Sequence, residues 1–306
     1  MLANFEKLEK PNKLFADEKI KHQLFRCLDK SVKEIVENYK EIPIAFSGGL
    51  DSSVLAYLAS KYTKPILFCV GFEDSYDARN AKRAVEILND LSLKNLNMSV
   101  FGAQHRSFGF ERRKSAKHNL TSILLNELEL NIIYLDKIDL EKYLRKTIEI
   151  VGTDDKLIID LNLPYFILLE ELKKRGYKNF ISGQGADELF AGYNRYKKSE
   201  NLEDDLLQDI KEIYKTNQQY NLKIENHFGV KSLFPFLEEE VVKLALEISP
   251  DLKIKNGVNK YILREAFREY LPEKIIAQNK KAFQYGSGAS KAIKKLKAKN
   301  EKLKKK

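Results

Sequence analysis

The chain has 306 residues, 43% of them hydrophobic, and a net charge of +10, which is enough apolar material for one large cored unit or two smaller ones. Its apolar runs stay well short of the ~20 residues needed to cross a bilayer. Its first residues, Met1-Leu2-Ala3-Asn4-Phe5-Glu6-Lys7, have neither an apolar secretory core nor an arginine-rich leader, so the expectation is a cytoplasmic protein with no membrane partner. Nine lysines and one glutamate over residues 291–306 hold +8 of the charge; the body is close to neutral, the tail reads as a solvated helix end, and nucleic acid is not the expected partner. Cys27 and Cys69 are too few and too far apart for a disulfide framework or a zinc site and are expected to pack as small apolar groups.

Over residues 14–39, Leu24, Leu28, Val32, Ile35 and Val36 recur at helical spacing among Lys and Glu, which predicts an amphipathic helix and an N-terminal helical segment over 1–40. Strand and helix then alternate: a strand over 42–46, a helix from Ser52, a strand over 65–72 and a helix from Tyr76 to about Asp90. A strand over 131–135, helices over 140–151 and 164–175 with Pro164 in the first turn, and a strand over 179–182 follow. That alternation implies a parallel sheet in an α/β unit over 41–200. The pattern breaks over 97–130, where His105, Arg106, Phe108, Phe110, Arg112, Arg113, Lys114 and His118 read as a surface insertion, with stacking on nucleic acid as the alternative. A helix-rich part over 201–290, clearest at 241–248 and 261–270, is expected to cover the sheet, and the basic tail over 291–306 completes the chain.

Two glycine-rich turns carry the chemistry. In Ser47-Gly48-Gly49-Leu50-Asp51-Ser52, between strand and helix, adjacent glycines let the backbone turn sharply and approach a ligand, while helix N-terminal N–H groups and the hydroxyls of Ser47, Ser52 and Ser53 suit a phosphate. An aspartate stands where a Walker loop has lysine, so the run is a different phosphate loop, and a carboxylate beside a phosphate calls for a bridging Mg²⁺. The second run, Ser182-Gly183-Gln184-Gly185-Ala186-Asp187-Glu188-Leu189-Phe190-Ala191-Gly192-Tyr193, repeats the arrangement. Asp187 either caps its helix or shares a cation with Asp51 across neighbouring strand ends, which would make the two aspartates metal ligands.

The first run resembles the pyrophosphatase loop of N-type ATP pyrophosphatases. The second is similar to the Ser-Gly-Glu-Gly-Ala/Ser-Asp-Glu-Leu/Val-Phe-Gly-Gly-Tyr signature of the synthetase domain of asparagine synthetases. Further likenesses follow in order at Gly229-Val230 through Glu238, at Lys260-Tyr261-Ile262-Leu263-Arg264 and at Lys280-Lys281-Ala282-Phe283-Gln284-Tyr285-Gly286, so the resemblance spans residues 42–288. It implies an α/β fold, a doubly wound, mostly parallel sheet of the adenine nucleotide α-hydrolase-like (PP-loop) type with a helical C-terminal layer. It also implies ATP and Mg²⁺, and an AMP-forming carbon–nitrogen ligase working through an acyl-adenylate, with asparagine made from aspartate as the leading reaction.

Carried over by position, Ser47, Gly48, Gly49, Asp51, Ser52, Ser182, Gly183 and Asp187 hold the nucleotide and its phosphates, and Val70, Gly71 and Phe72 cradle the adenine. Lys260 binds pyrophosphate, and Lys280 stabilises the developing charge. Gln184 stands where the family has glutamate, and as an amide it cannot take a proton. Gly229-Val230-Lys231-Ser232-Leu233 replaces a Gly-Val-Glu-x-Arg stretch, which bears on the acid bound. The glutamine-hydrolysing half is not expected in this chain, so the expected partners are a small carboxylic acid and ammonia, the latter from solution or from a separate glutaminase. A tRNA-modifying relative of the same loop class, and an ATP-binding protein with lost or altered catalysis, remain as alternatives.

Overall fold

The structure, a computed structural model, describes residues 14, 17–104, 127–213, 218–278 and 286–294, the side chains of 92–104 excepted. Helix α1 (Asp17–Val36) opens with Asp17 and Glu18 at its positive end and buries Leu24, Leu28 and Val32 along one stripe. It packs on α2, α9 and α11 defined below. Alternation then begins: β1 (Glu41–Ala45), α2 (Leu50–Ser60), β2 (Lys64–Gly71), α3 (Tyr76–Gln104), β3 (Glu129–Tyr134), α4 (Leu140–Val151), α5 (Lys156–Lys174), β4 (Asn179–Ile181) and the short α6 (Ala186–Phe190). The chain continues through α7 (Leu202–Ile213), α8 (Gln219–Phe228), β5 (Lys231–Leu233), α9 (Glu239–Glu247), α10 (Pro250–Lys253), the antiparallel pair β6 (Ile254–Lys255) and β7 (Val258–Asn259), α11 (Tyr261–Phe267) and α12 (Glu273–Ile276).

Five strands form one sheet in the order β3-β2-β1-β4-β5, and every pairing is parallel. Strand β2 shows why helices must lie on both faces. Ile66, Phe68 and Val70 pack into a core with α4, α5 and α8, whereas Leu67 and Cys69, pointing the other way, join a core built from α1, α2, α9 and α11. The expected doubly wound α/β architecture is present. The chain winds outward from β1 to β3, then returns to place β4 on the other side of β1, with Ile44 opposite Ile181. That reversal opens a crevice at the carboxyl ends of β1 and β4, where ligands bind in sheets of this kind.

Three elements differ from expectation, the first being β5, which lies in the part expected to be a helical cover yet pairs with β4 in the sheet. Helix α3 runs on to Gln104 instead of ending near Asp90, in keeping with a stretch that holds no proline and meets its first glycine at Gly102. Of the expected insertion over 97–130, residues 105–126 lie outside the described residues and Glu129 and Leu130 belong to β3; Lys280 and the tail beyond 294 also lie outside the described residues. Helix α5 begins at Lys156 and not at Pro164: the Asp155 carboxylate accepts the Ile158 N–H at 3.0 Å as its cap. Pro164 therefore sits mid-helix, where it withholds a donor from the Asp160 carbonyl, and burial of Ile159, Leu163, Phe166 and Ile167 in the second core outweighs that loss. Cys69 is buried and Cys27 half-buried, both free thiols, and burial pushes the Cys27 thiol up to about 11.

Candidate active site

The first glycine turn leaves β1 and enters α2. Gly48 has φ +71, and a side chain there would bring a Cβ to 2.5 Å from the Asn80 carbonyl oxygen, so the turn can lie on α3 only with glycine at this position. Asn80 holds the turn by donating its amide to the Ser47 carbonyl at 3.0 Å and to Gln278 Oε1 at 3.2 Å. Gly49 caps α2 without a side-chain bond, and Ser52 Oγ donates to the Gly49 carbonyl at 3.2 Å. Ser47, Gly49, Asp51 and Ser52 line the cavity above the turn, and Gly48 lies beneath it. Ser53, expected to face the ligand, is instead fully buried and does not line the cavity.

The second turn leaves β4 for α6. Its start is fixed by the Ser182 N–H, which donates to the Leu233 carbonyl at 2.9 Å, and a Cβ on Gly183 would lie 3.5 Å from that of Asp51. The two turns are therefore neighbours, as the strand order requires. Ser182, Gly183, Gln184 and Asp187 all reach the same cavity, about 450 Å³ in volume. Glu188, next in the chain, also lines it; Tyr193 donates its hydroxyl to Glu188 Oε1 at 2.7 Å. Burial pushes the Glu188 carboxyl up, against the pull of the Tyr193 hydrogen bond.

Lys260 joins the two turns. Its Nζ lies 2.6 Å from both carboxylate oxygens of Asp51 and 2.7 Å from Asp187 Oδ1, with the lysine side chain only 4% exposed. Burial draws its ammonium below the usual lysine range, while the neighbouring Asp51 carboxylate acts in the opposite sense. The backbone beneath is fixed. Lys260 has φ 56 at the cap of α11, Asn259 donates its amide to the Ala191 and Tyr193 carbonyls at 2.6 and 3.0 Å, and Arg264 donates from Nε to the Asn259 carbonyl at 2.8 Å. Arg264 also donates to the carbonyls of Ile276 and Gln278, so its charge ties three segments together beside the cavity.

Val70 forms part of the far wall with Phe46 and, from α5, Leu161, Tyr165 and Leu168. Tyr165 is held by its hydroxyl, which donates to Glu225 Oε1 at 2.6 Å. Of the neighbouring residues expected to cradle adenine, Phe72 already donates its N–H to the Ser287 carbonyl at 3.1 Å. Helix α3, expected from the sequence only as scaffold, also supplies Tyr76, Asp77 and Asn80 to the cavity. A signal was available: Asp77, like Asp51 and Asp187, sits in the first turn of a helix that follows a strand.

The carboxylate pair suits a hard divalent cation. Two aspartates brought within 2.7 Å of a single cationic nitrogen are oxygen donors already converged on one point. No group of three or more His, Cys, Asp or Glu is placed to hold a metal among the described residues. No helix among those residues is long and apolar enough to cross a membrane.

The parallel sheet, the glycine turn under α2 and the paired aspartates at the β1–β4 crevice define an α/β protein of the PP-loop class. The asparagine synthase family model matches residues 23–91, 103–227 and 199–306, and the chain belongs to that family. It is 31% identical over 97% of its length to a Methanocaldococcus jannaschii protein provisionally assigned as a glutamine-hydrolysing asparagine synthetase. It is also 30% identical to the glutamine-hydrolysing asparagine synthetases of Lotus japonicus and Sandersonia aurantiaca, each over 81% of the chain. The matched region spans 55% of the first relative, 39% of the second and 44% of the third, so the chain corresponds to about half of such proteins.

Proposed function

We propose that the chain is an ATP-dependent, AMP-forming ligase that converts a carboxylic acid into an amide, with aspartate and ammonia as the leading pair. The observation that carries this reading is the meeting of Asp51, Asp187 and Lys260, from three distant parts of the sequence, at the mouth of the phosphate turn. On this reading the α2 N-terminus with Ser47, Gly49 and Ser52 holds the triphosphate, Ser182, Gly183 and Val70 line the nucleoside pocket, and Asp51 and Asp187 hold Mg²⁺. The metal supplies charge neutralisation on the leaving pyrophosphate. Lys260 pairs with the pyrophosphate as the acid's oxygen attacks the α-phosphorus, and ammonia then displaces AMP from the acyl-adenylate. Lys280 is assigned to the developing charge of both steps by its place in the sequence motif. Gln184 faces the same cavity, where its amide orients a ligand by hydrogen bonds without taking a proton. Placement and electrostatics, more than proton transfer, then supply the rate.

The nitrogen donor is ammonia from solution or from a glutaminase partner. The experiment is pyrophosphate release by purified protein given ATP, Mg²⁺, aspartate and ammonium. Sustained, multiple-turnover release that needs all four, and falls by about 100-fold or more in Asp51→Asn, is expected. ATP binding without release over a panel of carboxylic acids, with ammonium and with amines, would overturn it.

A further inference from the structure

The Lys260 ammonium stands on the point where the two aspartates converge. We propose that in the ligand-free protein Lys260 takes the place of the divalent cation between Asp51 and Asp187, so that metal enters only together with a polyphosphate that draws the lysine away. The inference rests on the metal–triphosphate reading above and adds to it an order of loading that the residues themselves impose.

Three observations carry it. The first is occupancy: one ammonium lies at 2.6 Å from both oxygens of Asp51 and 2.7 Å from an oxygen of Asp187. A divalent cation bound to the same oxygens at about 2.1 Å would stand against that positive charge at contact distance. The second is enclosure. The lysine side chain is 4% exposed and the aspartates 19% and 13%, so bulk water screens the repulsion poorly. The third is that the backbone beneath the lysine is fixed. Its backbone is held at φ 56 between the Asn259 and Arg264 hydrogen bonds. Gly192 fits tightly alongside, since a Cβ there would fall 1.9 Å from Asp187 Oδ1 and 2.4 Å from Lys260 Cε. A flexible four-carbon stem on a fixed base suits a charge that swings between two anionic partners. A polyphosphate seated on the α2 N-terminus provides the second partner, and the lysine's departure frees the carboxylates for metal in the same event.

The test is Mn²⁺ binding to the whole 306-residue chain, read by electron paramagnetic resonance, without turnover. In the absence of nucleotide, Lys260→Met is expected to bind Mn²⁺ at least about tenfold more tightly than the wild type, because a unit charge beside the site is gone, and adding Asp51→Asn to it should abolish the gain. Equal affinity of wild type and Lys260→Met would overturn the proposal. Should Lys260→Met fail to fold, the wild type decides. Without nucleotide its Mn²⁺ titration should coincide with that of Asp51→Asn, and the two should separate once α,β-methylene-ATP is added. A tight site in the nucleotide-free wild type that Asp51→Asn removes would refute the order of loading. Failure of the analogue to bind at all, measured separately by calorimetry with Mg²⁺ present, would instead strike the ATP reading.

Discussion

At the scale of single residues the site depends on places where a side chain is forbidden or a backbone is held in a costly state. Gly48 has φ +71 with the Asn80 backbone 2.5 Å from where its Cβ would be, whereas Gly176, with φ +83, has nothing within 4 Å. Alanine at either pays the left-handed penalty of about 1–2 kcal/mol, and only at Gly48 must α3 also shift. Gly48→Ala is therefore expected to lose about 3 kcal/mol of unfolding free energy in urea together with ATP affinity, and Gly176→Ala about 1 kcal/mol with ATP affinity intact. Equal losses would mean that the Asn80 contact does not constrain the turn. Lys260 accepts left-handed backbone without being glycine because Asn259 and Arg264 over-determine its position through the five carbonyl contacts named above.

At the scale of elements, α5 shows how neighbouring helices fix a cavity wall. One face supplies Leu161, Tyr165 and Leu168 to the pocket, and the other meets α4, where Tyr143 donates to Glu170 Oε2 at 2.5 Å, Lys174 donates to the same oxygen at 2.6 Å and Lys146 approaches Oε1 at 3.8 Å. Burial raises the Glu170 carboxyl, but the Lys174 and Tyr143 hydrogen bonds and the charges of Lys174 and Lys146 outweigh it and hold the group below its ordinary range. A carboxyl depressed in the folded state contributes stability that is complete above its unfolded pKa and is lost as pH falls through the folded value. The stability gap between wild type and Glu170→Gln should thus stay constant from neutral pH down to about 5 and close in more acid solution, as followed by urea unfolding at a series of pH values. A gap that widened on acidification would mean the wrong sign for the shift.

At the scale of the whole molecule, the candidate site is where remote parts of the chain are tied together. The C-terminal α11 packs on the N-terminal α1 and carries Lys260 into the crevice made by β1 and β4, so any ligand seated there bridges segments that unfolding separates. Linkage then gives a global readout: α,β-methylene-ATP with Mg²⁺ at about one hundred times its dissociation constant should add about 2.7 kcal/mol and raise the melting temperature by roughly 5 °C. Asp187→Asn should lose most of that rise in a thermal-shift assay while unfolding as cooperatively as the wild type.

Local order was what the sequence could determine by itself. Strand and helix alternation, the apolar stripe of Leu24, Leu28 and Val32, and both glycine turns are short-range patterns, set by backbone geometry and side-chain period, and so were legible in short windows of the chain. Pro164 misled for the complementary reason: proline's local preference for a first turn yielded to burial of α5 against the sheet, a sum over contacts that no short window contains. Only the tertiary structure decided that Asp51 and Asp187 converge, that a lysine 209 positions beyond Asp51 stands between them, and that α3 underlies the phosphate turn. Which strands become neighbours is a property of the assembled sheet, and electrostatic partners brought together by that assembly leave no mark in the spacing of the residues that form them.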